Sequence, residues 1–119
     1  MAKAAKVLIM LVRVIALVSI IFGVLIWTGQ MPNLLGAHIG LGFLITAMLA
    51  ILAIMALLKR AFPMGALGLL AAVALPWIGF RQFPLSFMHI GAIQVAHILV
   101  VIAALGLAES LAAAIRKAA

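Results

Sequence analysis

Residues 34–58 read LLGAHIGLGFLITAMLAILAIMALL, a run with no charged side chain and a single histidine, His38. At 1.5 Å of rise per residue, an α-helix of this length crosses the ~30 Å hydrocarbon core of a bilayer with residues to spare. Three more apolar runs flank it, over about 7–27, 64–80 and 85–115. The breaks between them carry turn residues and charge: Gly29, Gln30, Pro32 and Asn33; Lys59, Arg60 and Pro63; Arg81, Gln82 and Pro84. Closed barrels show short alternating segments, which this chain lacks. The expectation is therefore an all-α membrane protein, a bundle of four transmembrane helices forming one domain over 1–119. Gly65, Gly68 and Pro76 within the third run predict a kink there.

Composition agrees. Of 119 residues, 71% are hydrophobic and 8% charged, against roughly 45–50% and 25% in soluble domains. The net charge of +7 does not indicate nucleic acid, because the basic residues sit at the ends of apolar runs and form no polar binding face. Lys3, Lys6, Lys59, Arg60, Arg116 and Lys117 fall on one side of the four-span topology and only Arg81 on the other. The positive-inside rule then places both termini in the cytoplasm, with the bacterial inner membrane as the expected location. The first run is longer than a signal-peptide core of about 7–15 residues, carries Arg13 and lacks an A-x-A site, so it reads as a retained helix.

The chain has no cysteine, tyrosine or aspartate, and Glu109 is its only acid. Thiolate-bound clusters and covalent c-type haem are excluded. No nucleophile–base pair, phosphate loop or carboxylate pair is present, so any catalysis would have to come from a bound cofactor.

Polar groups inside a membrane are costly and mark function. His38 and His89 each fall about four residues into the second and fourth runs, roughly 6 Å below the outer boundary. They also occupy matching places in a short parallel repeat, in which Trp27-Thr28-Gly29 precedes His38-Ile39-Gly40 and Trp77-Ile78-Gly79 precedes His89-Ile90-Gly91. Matched depth suits a b-type haem, whose iron takes one imidazole on each face. Gly36, Gly40, Gly42 and Gly91 would give a flat macrocycle room, although Gly36 and Gly40 equally suit helix packing. A histidine pair in lipid could instead serve interhelical hydrogen bonding or a proton site. His97 follows His89 by about 12 Å of axis, so the two cannot ligate one iron. It either pairs with His38 after a shift in helix boundaries, serves a second site, or bonds a quinone or a proton path with Gln94. Thr46 takes its place in the repeat, so a second haem would need a histidine from another subunit.

Arg13 and Glu109 fall at similar depth on the first and fourth runs, which predicts an ion pair locking those helices together. Arg81 and Gln82, in the outer break, could bind haem propionates, arginine doing so bidentately; a solvated loop arginine is the plain alternative. Trp27 and Trp77 suit the aromatic belt, and the seven methionines suit packing.

On this four-run architecture and the placement of His38 and His89, the chain resembles the small four-helix bis-histidine b-type membrane cytochromes, and small bacterial four-helix membrane haem proteins. The resemblance implies haem b and one-electron transfer, with a quinol or oxygen species as redox partner; gas binding or redox sensing by the same haem is the other role it allows. Larger members of that group carry two haems and four ligand histidines; this chain has three histidines in all. Two other functions compete. One is a small transporter, although four-helix multidrug exporters place a glutamate in the first helix, where this chain has Arg13. The other is an accessory subunit of a membrane complex. A homo-oligomer, a dimer, is the expected assembly.

Overall fold

A polypeptide in lipid must satisfy its backbone hydrogen bonds within itself, and each apolar run does so as helix. The computed structural model describes residues 1–82 and 91–118. Its elements are α1 (Ala2–Trp27), a single 3-10 turn (Pro32–Leu34), α2 (Leu35–Leu58), α3 (Phe62–Phe80) and α4 (Ala92–Lys117). All four α-helices are long and apolar enough to cross a membrane, which makes this a multi-pass membrane architecture. The bundle is 45 Å in its longest dimension.

The first two breaks are made by the residues expected to make them, and Pro84 of the third lies outside the described residues. Gly29 ends α1 in the left-handed region at φ 76°. Its N–H reaches the Ile26 carbonyl at 3.0 Å, and the Gln30 N–H reaches Leu25 at 3.0 Å, closing carbonyls that the helix leaves open. Arg60 does the same for α2 at φ 62° without glycine's freedom, and Pro63 then sits in the first turn of α3. Pro76 lies inside α3 and cannot donate the backbone bond to Ala72.

Two boundaries differ by more than two residues from the sequence reading. Helix α1 begins at Ala2 rather than near Val7, taking Lys3 and Lys6 into its first turns. Helix α4 begins at Ala92 rather than Leu85. Gly91 is extended, at φ −104° and ψ 172°, and its N–H donates to the Gln94 side-chain oxygen at 3.1 Å. That bond satisfies a donor at the helix entrance and fixes where α4 starts. The expected helical stretch before it lies outside the described residues.

Among the described residues, α1 packs against α2 and α4, and so does α3, while α1 and α3 do not touch. Helices α2 and α4 also meet directly, across the short diagonal of the square. The basic end is closely packed. Ile9 and Val12 of α1, Leu49 and Leu52 of α2, and Leu111 and Ile115 of α4 are almost wholly buried there among alanines. Helix α3 approaches that core through Gly65 and Gly68: a methyl group on Gly65 would lie 2.5 Å from Leu57 Cγ, and one on Gly68 would lie 2.7 Å from Ala53 Cβ. The other half of the bundle is not filled in this way.

Candidate functional site

In that other half, all four helices line a cavity of about 490 Å³, within the 300–1,000 Å³ range of sites that hold cofactor-sized ligands. Its walls are mainly aliphatic, with Trp27, Phe43 and Phe80 at its edges and Ser19, Thr46, Gln82 and Gln94 among its few polar residues.

The two diagonal helices each send one histidine into it. His38 lies three residues into α2 and His97 five residues into α4, about 4.5 and 7.5 Å from the respective helix starts. Their ring centroids are 6.5 Å apart and the ring planes are inclined by 74°. The two corner helices supply the space behind the rings. A methyl group on Gly23 of α1 would lie 3.0 Å from His38 Cε1, and one on Gly79 of α3 would lie 3.6 Å from His97 Cε1. Each imidazole is thus backed by a glycine from a different helix.

His38 is oriented by α1. Its Nδ1 lies 2.8 Å from the Ser19 carbonyl oxygen and 3.2 Å from Ser19 Oγ. A carbonyl only accepts, so Nδ1 carries the proton and Nε2 carries the free lone pair. This is how ligating histidines are commonly held. Among the described residues, His97 Nδ1 and Thr46 Oγ1 are buried without a hydrogen-bond partner. Both residues line the cavity, so two costly polar atoms border the same apolar space.

Of the expected ligands, the structure brings His38 and His97 together; His89 lies outside the described residues. Among the described residues, the rings that come close are the pair for which the sequence reading required shifted helix boundaries, and α4 starts at Ala92. The glycines that make room are also different. Gly36 and Gly40 are exposed, and a methyl group on either would have nothing within 4 Å. Gly42 lines the cavity but contacts no ring, and Gly91 serves the entrance of α4. Nothing in the sequence singles out Gly23, Gly79 or Ser19 as ring-facing residues. The Trp77-x-Gly79 match of the repeat is the one hint, because it places a glycine at the outer end of α3.

Arg81 is exposed, with its guanidinium carbon 4.8 Å from the Trp77 ring centroid, a cation–π arrangement. Gln82 lines the cavity and donates to the Gly79 carbonyl at 3.3 Å. Comparison with protein-family models, curated proteins and solved structures returns no match. Inference about function rests on the site itself.

Arg13 and Glu109 lie outside the cavity and pair as expected. Arg13 Nε and Nη2 donate to Glu109 Oε1 and Oε2 at 2.6 and 2.8 Å, joining α1 to α4.

The glycine behind His38 gives a direct test of the site. Alanine at Gly23 would need the His38 ring to move by a few tenths of an ångström. If a haem occupies the site, Gly23→Ala is expected to shift its absorbance bands while keeping the pigment. Gly40→Ala, with open space around it, is expected to leave the spectrum unchanged.

Proposed function

We propose that this chain is a membrane protein that holds a b-type haem between His38 and His97 and serves one-electron transfer. The observation that carries the reading is the close pair of imidazoles, 6.5 Å apart by centroid and inclined by 74°, beside a cavity walled by all four helices. Metal–imidazole bonds of about 2 Å put two rings on opposite sides of one metal roughly 6 Å apart, centroid to centroid. Among the described residues, no group of three or more His, Cys, Asp or Glu side chains forms a metal site. A bare zinc ion usually takes four donors, and three protein ligands even where it is catalytic. Haem would bring nitrogen ligands of its own, so that His38 and His97 would be enough to hold it.

When bound, haem supplies the one-electron chemistry. The chain's residues have separate tasks. His38 and His97 present ring nitrogens from opposite corners. The Ser19 carbonyl fixes the His38 tautomer. Gly23 and Gly79 leave the rings room. The aliphatic walls keep water away, which controls local dielectric and hence potential. Gln82, which lines the cavity, and Arg81, the next residue in the chain, are the donors that would serve propionates.

The test is an absorption spectrum of purified protein, oxidised and reduced, after expression with ample haem. A Soret band with sharp reduced bands is expected. Protein that remains colourless under haem supply overturns the reading. A quinone head group is the second reading, favoured by the unpartnered His97 Nδ1 and Thr46 Oγ1, which suit two ring oxygens. It predicts a redox-dependent ultraviolet change with no Soret band.

For location we propose the bacterial inner membrane, with the basic end of the bundle in the cytoplasm. Because the native chain has no cysteine, single thiols report topology cleanly. An impermeant maleimide is expected to label Gln30→Cys on intact spheroplasts, and Ala118→Cys only after permeabilisation. The opposite pattern inverts the orientation.

A further inference from the structure

The Arg13–Glu109 pair faces outward. Its side chains are 60% and 44% exposed on the surface of the chain. Arg13 precedes Trp27 by about 21 Å of helix, so a ~30 Å hydrocarbon core that ends near Trp27 extends about 9 Å beyond the pair. Two charges at that depth would meet lipid directly, at considerable cost.

The pair is also incompletely bonded. A guanidinium has five N–H donors and a carboxylate about four acceptor positions, and the two hydrogen bonds use two of each. Around them is an apolar surface. Met10 and Leu17 share a flank of α1 with Arg13, and Ile102 shares a flank of α4 with Glu109; these three are 54%, 62% and 62% exposed. Gly106, one turn before Glu109, is exposed with nothing within 4 Å of its missing side chain. Such a position lets another helix come close.

We propose that the outward seam between α1 and α4 is the interface of a parallel two-fold homodimer centred on this ion pair. A second copy is the occupant whose chemistry matches. Rotation about an axis along the membrane normal keeps every residue at its depth. It sets the spare N–H groups of Arg13 against the spare oxygens of the partner subunit's Glu109, and the reverse. A two-fold interface requires a self-complementary patch, and a neutral pair with unused donors and acceptors is one. A lipid phosphate would offer only acceptors, from a headgroup lying above this level.

The native chain has no cysteine, so Leu17→Cys introduces the single thiol. Oxidation in native membranes is expected to give a disulfide-linked dimer, and the native chain is expected to show dimer mass in lipid nanodiscs. Gly106→Leu, which leaves the ion pair within each chain intact, is expected to lower the crosslinked fraction at least tenfold. Arg13→Glu is expected to lower it likewise, and adding Glu109→Arg to restore it. Thermal melting of each variant separates lost association from lost folding. A native chain that stays monomeric at every protein-to-lipid ratio overturns the proposal. So does a crosslink that forms unchanged in Gly106→Leu, or one that joins a different protein. Haem content enters none of these readouts, so the dimer and the cofactor stand or fall separately.

Discussion

Alanine at His97 is expected to abolish the haem spectrum, and alanine at His38 to do the same. Each substitution removes one of two close imidazoles and leaves the cavity with a single imidazole among the described residues. Changes to groups that merely support a metal ligand cost about 10–100-fold in affinity, so loss of the ligand itself should exceed that. The measurement is haem per chain after purification, with the pyridine difference spectrum as the assay. Ser19→Ala is the companion control. It deletes the hydroxyl at 3.2 Å but keeps the carbonyl at 2.8 Å, so haem content should stay close to that of the native chain. His89→Ala decides between the two pairings. If it removes the pigment while His97→Ala keeps it, the ligands are the pair that the repeat favours, and the diagonal arrangement of rings has another purpose.

Alanine at Gly65 or Gly68 is expected to destabilise the bundle clearly, although alanine is the better helix former by about 1 kcal/mol. On Gly65 the new methyl meets the branch point of Leu57 at 2.5 Å and the Ala53 carbonyl oxygen at 3.0 Å. On Gly68 it meets Ala53 Cβ at 2.7 Å, an atom with no rotamer to change. Relief therefore requires α2 and α3 to separate. Overpacking of this kind costs about 1–3 kcal/mol, occasionally more, which exceeds the gain in propensity. Thermal melting in detergent is the readout, with Gly40→Ala as the reference for open space. If Gly65→Ala and Gly68→Ala melt at or above the reference, α2 and α3 do not meet at these glycines.

The same pair of helices shows how packing and site are connected. Small residues draw the basic half together around Leu52, Ala53 and Leu111. In the other half, Pro76 interrupts α3, and Gly79 one turn later faces His97. The cavity lies where the small-residue contacts give way to imidazoles and bulky side chains.

Several features could be read directly. The ion pair is one: with a single acid in the chain and a single arginine inside the first run, similar depth was enough to match Arg13 with Glu109. The histidine pairing could not be read this way. Moving the start of α4 from 85 to 92 changes depth by about 10 Å along the axis, more than the separation of the two rings. The sequence reading took the apolar run from Leu85 as helix and passed over the local signal, the Gly91 N–H that bonds the Gln94 side chain three residues on.

Sequence alone determined the four spans, their first two breaks and the charge asymmetry, because apolar runs in lipid have one way to satisfy their backbone and unpaired cations stay at the ends. The tertiary structure decided which imidazoles meet, that Gly23 and Gly79 rather than Gly36 and Gly40 stand behind them, and that the ion pair looks outward. Those are relations between residues far apart in the chain. They depend on how each helix is rotated and on which neighbours share the short diagonal, and close packing sets both.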